Sequence, residues 1–324
     1  MVNITLIVAF LLLAGLFLLL AFRSMRSRRV WIKGLATLLF GIMGLMFLTI
    51  SVVAGIGLYK LNYPPYAYEV VDVQISSTTE QIKRGEQLAY LCIDCHSSTG
   101  ELPLDGSKDN LATEEVPIGV LYATNLTPGG PLADWTDSEI IRAIREGVDK
   151  SGRPLIGMTS EPFSHLSDAD VQALVAYLRS QPTVNRDLPE QDLNILAAIL
   201  FGANLAPTAA QPPITEEIIA PPANTLEYGQ YLVYTSGCRD CHGLDLTGPP
   251  NPFVPPGPNL TLVMSNWSEE QFMTFLSSGA NNYGRQVDPK QMPWTSYSRA
   301  FSDADMRDIY NYLSELPMVV TTKQ

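Results

Sequence analysis

Cys92-Ile93-Asp94-Cys95-His96 and Cys238-Arg239-Asp240-Cys241-His242 hold all four cysteines and two of the three histidines of the chain. In each pentad two thiols stand about one helical turn apart, so both can add to vinyl groups of one porphyrin. The histidine that follows is then directed at the iron, and C-x-x-C-H is the spacing of a c-type haem attachment site. Three other uses of these residues are weaker. A redox dithiol shares C-x-x-C but sits near a βαβ pattern and needs no histidine. A zinc ion held by both halves would leave the histidines idle and would join pentads 146 residues apart, beyond zinc-ribbon spacing. A disulfide within C-x-x-C is redox-active rather than structural. The pentads therefore predict two covalently bound haem c groups, attached through Cys92, Cys95, Cys238 and Cys241, with His96 and His242 on the irons.

Charge divides the 324 residues unevenly. Residues 1–60 contain no Asp or Glu and six basic residues (Arg23, Arg26, Arg28, Arg29, Lys33, Lys60); the remainder carries 15 basic and 33 acidic residues, a formal charge of −18. An acidic body excludes nucleic acid, which needs Lys and Arg at phosphate. It suits a basic soluble redox protein steered by long-range attraction, or serves solubility alone.

The basic head reads as two transmembrane helices, residues 4–22 and 35–58, each long and apolar enough for a bilayer core of about 30 Å. A cleaved signal peptide is the alternative, but the first run is too long for an h-region and no positive charge precedes it. The loop between the runs, Arg23 to Lys33, carries five positive charges and no negative one. The positive-inside rule makes it cytoplasmic and puts both the N-terminus and the body on the outer face of a bacterial cytoplasmic membrane. Tyr59, Tyr63, Tyr66 and Tyr68 suit the outer headgroup level, with membrane lipid as the partner of the hairpin.

The body is an internal duplication. Arg84-Gly85-Glu86-Gln87-Leu88-Ala89-Tyr90 answers Tyr228-Gly229-Gln230-Tyr231-Leu232-Val233-Tyr234, Asn125-Leu126-Thr127 answers Asn259-Leu260-Thr261, and Trp135-Thr136-Asp137 answers Trp267-Ser268-Glu269. Ser167-Asp168-Ala169-Asp170 and Ser302-Asp303-Ala304-Asp305 each open a run that ends before Pro182 or Pro317. Ser167 and Ser302 read as N-caps, and Val171, Leu174, Val175 and Leu178 recur on one helix face. Helices over 80–91 and 138–147 follow from the same periodicity, and no alternating strand is evident. The predicted fold class is all-α: 1–60 the membrane hairpin, 61–79 a linker, 80–185 the first domain, 186–224 a connector and 225–324 the second domain. Pro- and Gly-rich segments such as 248–258 read as loops around a porphyrin.

A histidine-bound haem iron commonly takes a methionine on its other face in electron-transfer proteins. Met158 is the one methionine of the first repeat, nine residues before Ser167; Met292 stands ten before Ser302, whereas Met273 and Met306 fall inside helices. Met158 and Met292 are the expected axial partners. His165 answers Arg299-Ala300 and is expected at the surface.

Each repeat resembles a class I c-type cytochrome domain. Together they are similar to the multihaem cytochrome c subunits of membrane-bound bacterial alcohol and sugar-acid dehydrogenases. The likeness rests on Gly85 with the pentad, on Thr124 to Pro128, on Trp135-Thr136-Asp137, on Ile141 to Met158 and on the Leu-Ser-Asp-Ala-Asp helix. Leu193 to Leu200 resembles the inter-haem connector of that family. The chain departs from it in having two pentads rather than three and two N-terminal spans rather than a cleaved signal and C-terminal anchor. Met158 precedes Thr159 where Met-Pro is usual. The resemblance implies that a proline carbonyl accepts the second N–H of the ligand histidine. Pro258 fits that role, whereas Ala123-Thr124 leaves the first domain without it. The N-terminal hairpin with two haems is also similar to the dihaem subunit of cbb-type haem-copper oxidases.

These readings imply a two-domain cytochrome that passes single electrons within a respiratory or photosynthetic complex and has no catalytic residue of its own. A free-standing anchored shuttle and a dihaem peroxidase-type enzyme are the alternatives. Asn125, Trp135, Arg153, Pro258, Asn259, Trp267 and Arg285 are expected around the haem edges and propionates.

Overall fold

The computed structural model describes residues 2–66, 73–75, 77–113, 116–248 and 257–320; Tyr68 and all but the ends of the 248–258 loop lie outside them. Two apolar helices come first, α1 (Val2–Ser24) and α2 (Val30–Asn62), both long enough to cross a bilayer. They form an antiparallel hairpin. Gly44 lets them close: a Cβ there would meet the Leu18 side chain at 2.7 Å. The Phe17 and Phe47 rings stack at 5.7 Å, and Ser24 Oγ shares a 2.6 Å hydrogen bond with Thr37 Oγ1 beside the basic turn. The outward faces, Leu12, Leu35 and Leu38 among them, are apolar and exposed, the arrangement that lipid rather than water stabilises.

The first repeat runs α3 (Thr79–Ala89), a 3-10 turn at Tyr90–Cys92, α4 (Ile93–His96), α5 (Asp137–Glu146), α6 (Ser160–Ser164) and α7 (Asp168–Ser180). Local chemistry sets these bounds. Thr78 with Gln81 and Thr136 with Glu139 form reciprocal capping boxes, and Ser167 Oγ accepts from Asp170 N at 3.1 Å. Gly147, in the left-handed region (φ 63°), ends α5. Val171, Leu174, Val175 and Leu178 are buried in one core with Leu88, Ile93 and Ile140. Gly85 is required where α3 crosses α7, since a Cβ would lie 1.9 Å from the Ala173 carbonyl oxygen.

A two-residue antiparallel pair, β1 (Gly119–Val120) with β2 (Asp192–Leu193), leads into α8 (Ile195–Gly202). The sequence pattern shows neither, because two-residue strands have no periodicity and the connector is apolar all round. The chain then runs back along the first repeat: Ala209 N donates to Leu155 O, Gln211 N to Glu146 O and Asp168 N to Ile218 O.

The second repeat repeats the plan: α9 (Leu226–Thr235), α10 (Cys238–His242), α11 (Leu260–Val263), α12 (Glu269–Ser278), α13 (Trp294–Ala300) and α14 (Asp303–Glu315). Gly229 plays the part of Gly85, with a Cβ meeting the Asp308 carbonyl oxygen at 2.0 Å. The repeats meet along a polar seam. Arg84 holds both Asp170 carboxylate oxygens at 2.8 Å, and Tyr231 Oη donates to Asp170 Oδ2 at 2.6 Å while accepting from Ser167 N at 3.1 Å. Arg239 pairs with Glu161, and Arg299 with Glu101. Tyr90 and Leu91, just before Cys92, pack on the core of the second repeat.

Candidate haem centres

Each pentad coils against a cavity. One, of about 370 Å³, is lined by Cys92, Cys95, His96, Leu132, Trp135 and Met158 among others. The other, of about 1060 Å³, is lined by Cys238, Cys241, His242, Pro258, Trp267 and Met292. Both volumes suit a cofactor. Every cysteine, both pentad histidines and both expected methionines thus reach a cavity wall, and each cavity receives one complete set.

The histidines are held alike. His96 Nδ1 lies 2.8 Å from Thr124 O and His242 Nδ1 lies 2.8 Å from Pro258 O. A carbonyl only accepts, so Nδ1 carries the proton and Nε2 keeps its lone pair for a metal. Burial lowers both imidazole pKa values and so favours the neutral rings, an effect that the hydrogen bond only partly offsets. The expectation that the first centre lacks this partner is corrected: Thr124 stands where Pro258 does, and the acceptor is a backbone carbonyl, which the side chain does not determine.

The loops presenting those carbonyls are clamped identically. Asn125 Nδ2 donates to Val184 O at 2.8 Å and its Oδ1 accepts from Thr127 N and Oγ1. Asn259 Nδ2 donates to Val319 O at 2.9 Å and its Oδ1 accepts from Thr261 Oγ1. Neither asparagine lines a cavity. Each ties the residue after the carbonyl to the segment following the last helix of its repeat. They support the histidine from behind rather than walling the haem, because an amide one residue past the carbonyl points away from the cavity.

Arg153 and Arg285 do not line the cavities either. Arg153 is exposed and held by Asp149 at 2.7 Å, and Arg285 is exposed. His165 stays off both walls, bonded to Glu161 at 3.3 Å beside the Tyr234 ring. Met264 does reach the second cavity, fully buried. Its counterpart is Leu132: the N–H groups of Trp135 and Trp267 bond to the carbonyls of Leu132 and Met264. The repeat thus marks Met264 as wall. Sequence reading missed Arg186, whose guanidinium donates to Gly106 O at 2.7 Å and Ser107 O at 2.8 Å. Gly106 N in turn donates to His96 O, so Arg186 braces the first histidine through the loop.

The thiol environments bear on the chemistry. Burial pushes the Cys92 thiol up to about 12 and the Cys238 thiol up to about 11, and raises Cys95 and Cys241 as well. A redox dithiol needs a stabilised thiolate, the opposite of this setting. The two pentads face separate cavities rather than each other. The donor set in each cavity (two thiols, a neutral imidazole and a thioether between apolar walls) could hold a covalently attached haem.

Comparison with known proteins agrees with this chemistry. The cytochrome c family model matches residues 82–182 and 226–317, together more than half of the chain. Over 274 residues the chain is 29% identical to one of the subunits of the nicotinate dehydrogenase of Pseudomonas putida, covering 74% of this chain and 22% of that protein. It is 26% identical over 269 residues to the cytochrome c subunit of a quinone-dependent alcohol dehydrogenase of Gluconobacter oxydans, and 24% identical over 272 residues to the fructose dehydrogenase cytochrome subunit of Gluconobacter japonicus. These matches take in 74% and 75% of this chain, and 55% and 54% of the respective relatives. The chain therefore spans about half or less of the length of these relatives. With two cytochrome c matches laid over the two helical repeats, the chain belongs to the cytochrome c family.

Proposed function

We propose that the chain is a membrane-anchored dihaem cytochrome c serving as the electron-transfer subunit of a dehydrogenase or related respiratory complex. The observation carrying this reading is the gathering of Cys, Cys, His and Met around each cavity. Bound haem c supplies one-electron chemistry, with iron alternating between ferric and ferrous. Cys92, Cys95, Cys238 and Cys241 would hold the porphyrins, His96 and His242 would offer Nε2, and Met158 and Met292, lining the same cavities, would offer thioether sulfur. An iron held by both a histidine and a methionine would have no open site, which favours electron transfer over a peroxidase-type reaction.

Contact between the first attachment turn and α13, a wall of the second cavity, supports passage of electrons between the centres. Ser296 Oγ donates to Asp94 Oδ2 at 2.9 Å, and the adjacent Tyr297 lines the second cavity and donates to Ser236 O at 3.0 Å. The basic loop at the turn of the hairpin supports an orientation with both repeats outside the cytoplasm. The relatives' names support a multisubunit setting.

Haem quantification on the purified full chain tests the reading. Two haems per polypeptide are expected, falling to one when Cys238 and Cys241 are both changed to Ala. A single haem in the unaltered chain overturns the dihaem assignment. Isolation in mild detergent should bring a dehydrogenase catalytic subunit with it; the chain alone would instead favour a free-standing shuttle.

A further inference from the structure

We propose that α8, the short helix between the repeats, is a membrane-interface element whose exposed face meets the outermost acyl-chain region of the leaflet farther from the basic loop. The inference rests on the hairpin being a membrane anchor and adds a third lipid-facing segment to it.

Depth follows from α2. Lys33 and Lys60 bracket its uncharged stretch, and 27 residues at 1.5 Å rise give about 40 Å, the span of a bilayer with its headgroup regions. Lys60 thus marks the headgroup level, and Gly57, three residues earlier, lies about 5 Å deeper. The connector packs below Lys60. A Cβ on Gly57 would meet the Ala198 carbonyl oxygen at 1.7 Å, and one on Gly202 would meet the Val53 carbonyl oxygen at 1.9 Å. The Gly202 Cβ position also lies 2.9 Å from Gly57 N, so both contacts mark one crossing of α8 over α2 at Gly57. Small residues on both sides of that crossing allow backbone approach of the kind that membrane helices use. At the start of the segment Asn3 Nδ2, at the tip of α1, donates to Leu193 O at 2.5 Å. Both spanning helices therefore hold the connector.

The C-terminal end of α8 leaves few main-chain groups for water to satisfy. Ala203 N donates to Ile199 O, Leu205 N to Leu200 O and Asn204 N to Phe201 O. Lys60 Nζ adds a bond to Phe201 O at 3.2 Å and another to Asn204 Oδ1 at 2.5 Å. The carbonyls of Ile199, Leu200 and Phe201 are thus taken by protein donors, as a lipid-facing segment requires. Composition agrees: residues 193–215 contain no charged side chain. The surface left over is apolar, with Leu196 37% and Leu205 57% exposed.

Spin-label accessibility on the full-length holoprotein in phosphatidylcholine nanodiscs tests this, the native cysteines being consumed by thioether bonds. Labels go at Leu196→Cys and Leu205→Cys, with Leu38→Cys on α2 as the lipid reference and Tyr283→Cys, 88% exposed on the second repeat, as the water reference. Oxygen should relax the labels at 196 and 205 more than a water-soluble nickel chelate does, as at 38 and opposite to 283. A water-like result at 196 and 205 with a lipid-like result at 38 overturns the proposal alone. An immobilised label protected from both reagents means a protein covering and overturns it too. A water-like result at 38 instead overturns the anchor reading itself.

Discussion

Two methionines line the second cavity, and the repeat separates their roles. Met292→Ala should turn the second haem high-spin and remove about half of the methionine–iron charge-transfer absorption, whereas Met264→Leu should leave the spectrum unchanged, since Leu132 already fills that place in the first repeat. Met158→Ala should remove the other half; an unchanged low-spin first haem would exclude Met158 as its ligand. At this scale the sequence displays what side chains declare. Spacing points to the cysteines, histidines and methionines, and all reach the cavities. What it hides is work done by the main chain. The acceptor for His96 is the Thr124 carbonyl, which any residue could supply. Asn125 and Asn259 invite a reading as wall residues because they flank the cavities in sequence, yet their amides point back to Val184 and Val319. Arg153 and Arg285 are drawn outward, the first by Asp149.

Helix crossings carry the next set of consequences. Gly85→Ala and Gly229→Ala each force a Cβ to within about 2 Å of a carbonyl oxygen. Overpacking of this kind costs about 1–3 kcal/mol, measurable as a lower urea midpoint with unchanged slope. Gly55→Ala is the matched control: nothing lies within 4 Å of its Cβ position, so no loss is expected. The long elements are legible in sequence through their ends. Thr78, Thr136, Ser167 and Ser302 announce helix starts by hydrogen bonds that close within four residues. The connector is not legible in that way. Its eight residues are apolar on every side, so no stripe points to a partner, and only its contacts with α2 reveal where it lies.

For the molecule as a whole, stability hangs on the seam. Tyr231→Phe leaves Ser167 N and Asp170 Oδ2 without their hydroxyl partner in a buried setting, a loss of about 1–3 kcal/mol. A denaturation profile with a lowered midpoint and unchanged haem content is the expected outcome. The formal charge of −18 beyond residue 60 predicts a second effect. Electron exchange with a basic soluble partner should slow as salt rises from 0.01 to about 0.15 M, because screening shortens from about 30 to about 8 Å. A rate independent of salt would exclude electrostatic steering. The duplication and the charge divide are plain in the sequence. The seam is not, for it is assembled from residues more than 60 positions apart whose individual signals (a capping serine, an acidic first turn, a tyrosine) each have an ordinary local meaning.

The packing of Tyr90 and Leu91 on the opposite repeat, beside a Cys92 thiol that burial pushes up to about 12, sets a calendar for making the protein. Thioether formation consumes that thiol, which lines the first cavity close to where the repeats meet. Translation delivers Cys92 146 residues ahead of Cys238, so the first pentad emerges well before the repeat that packs beside it. A chain that closes early would strand its first centre empty while its second remained able to mature.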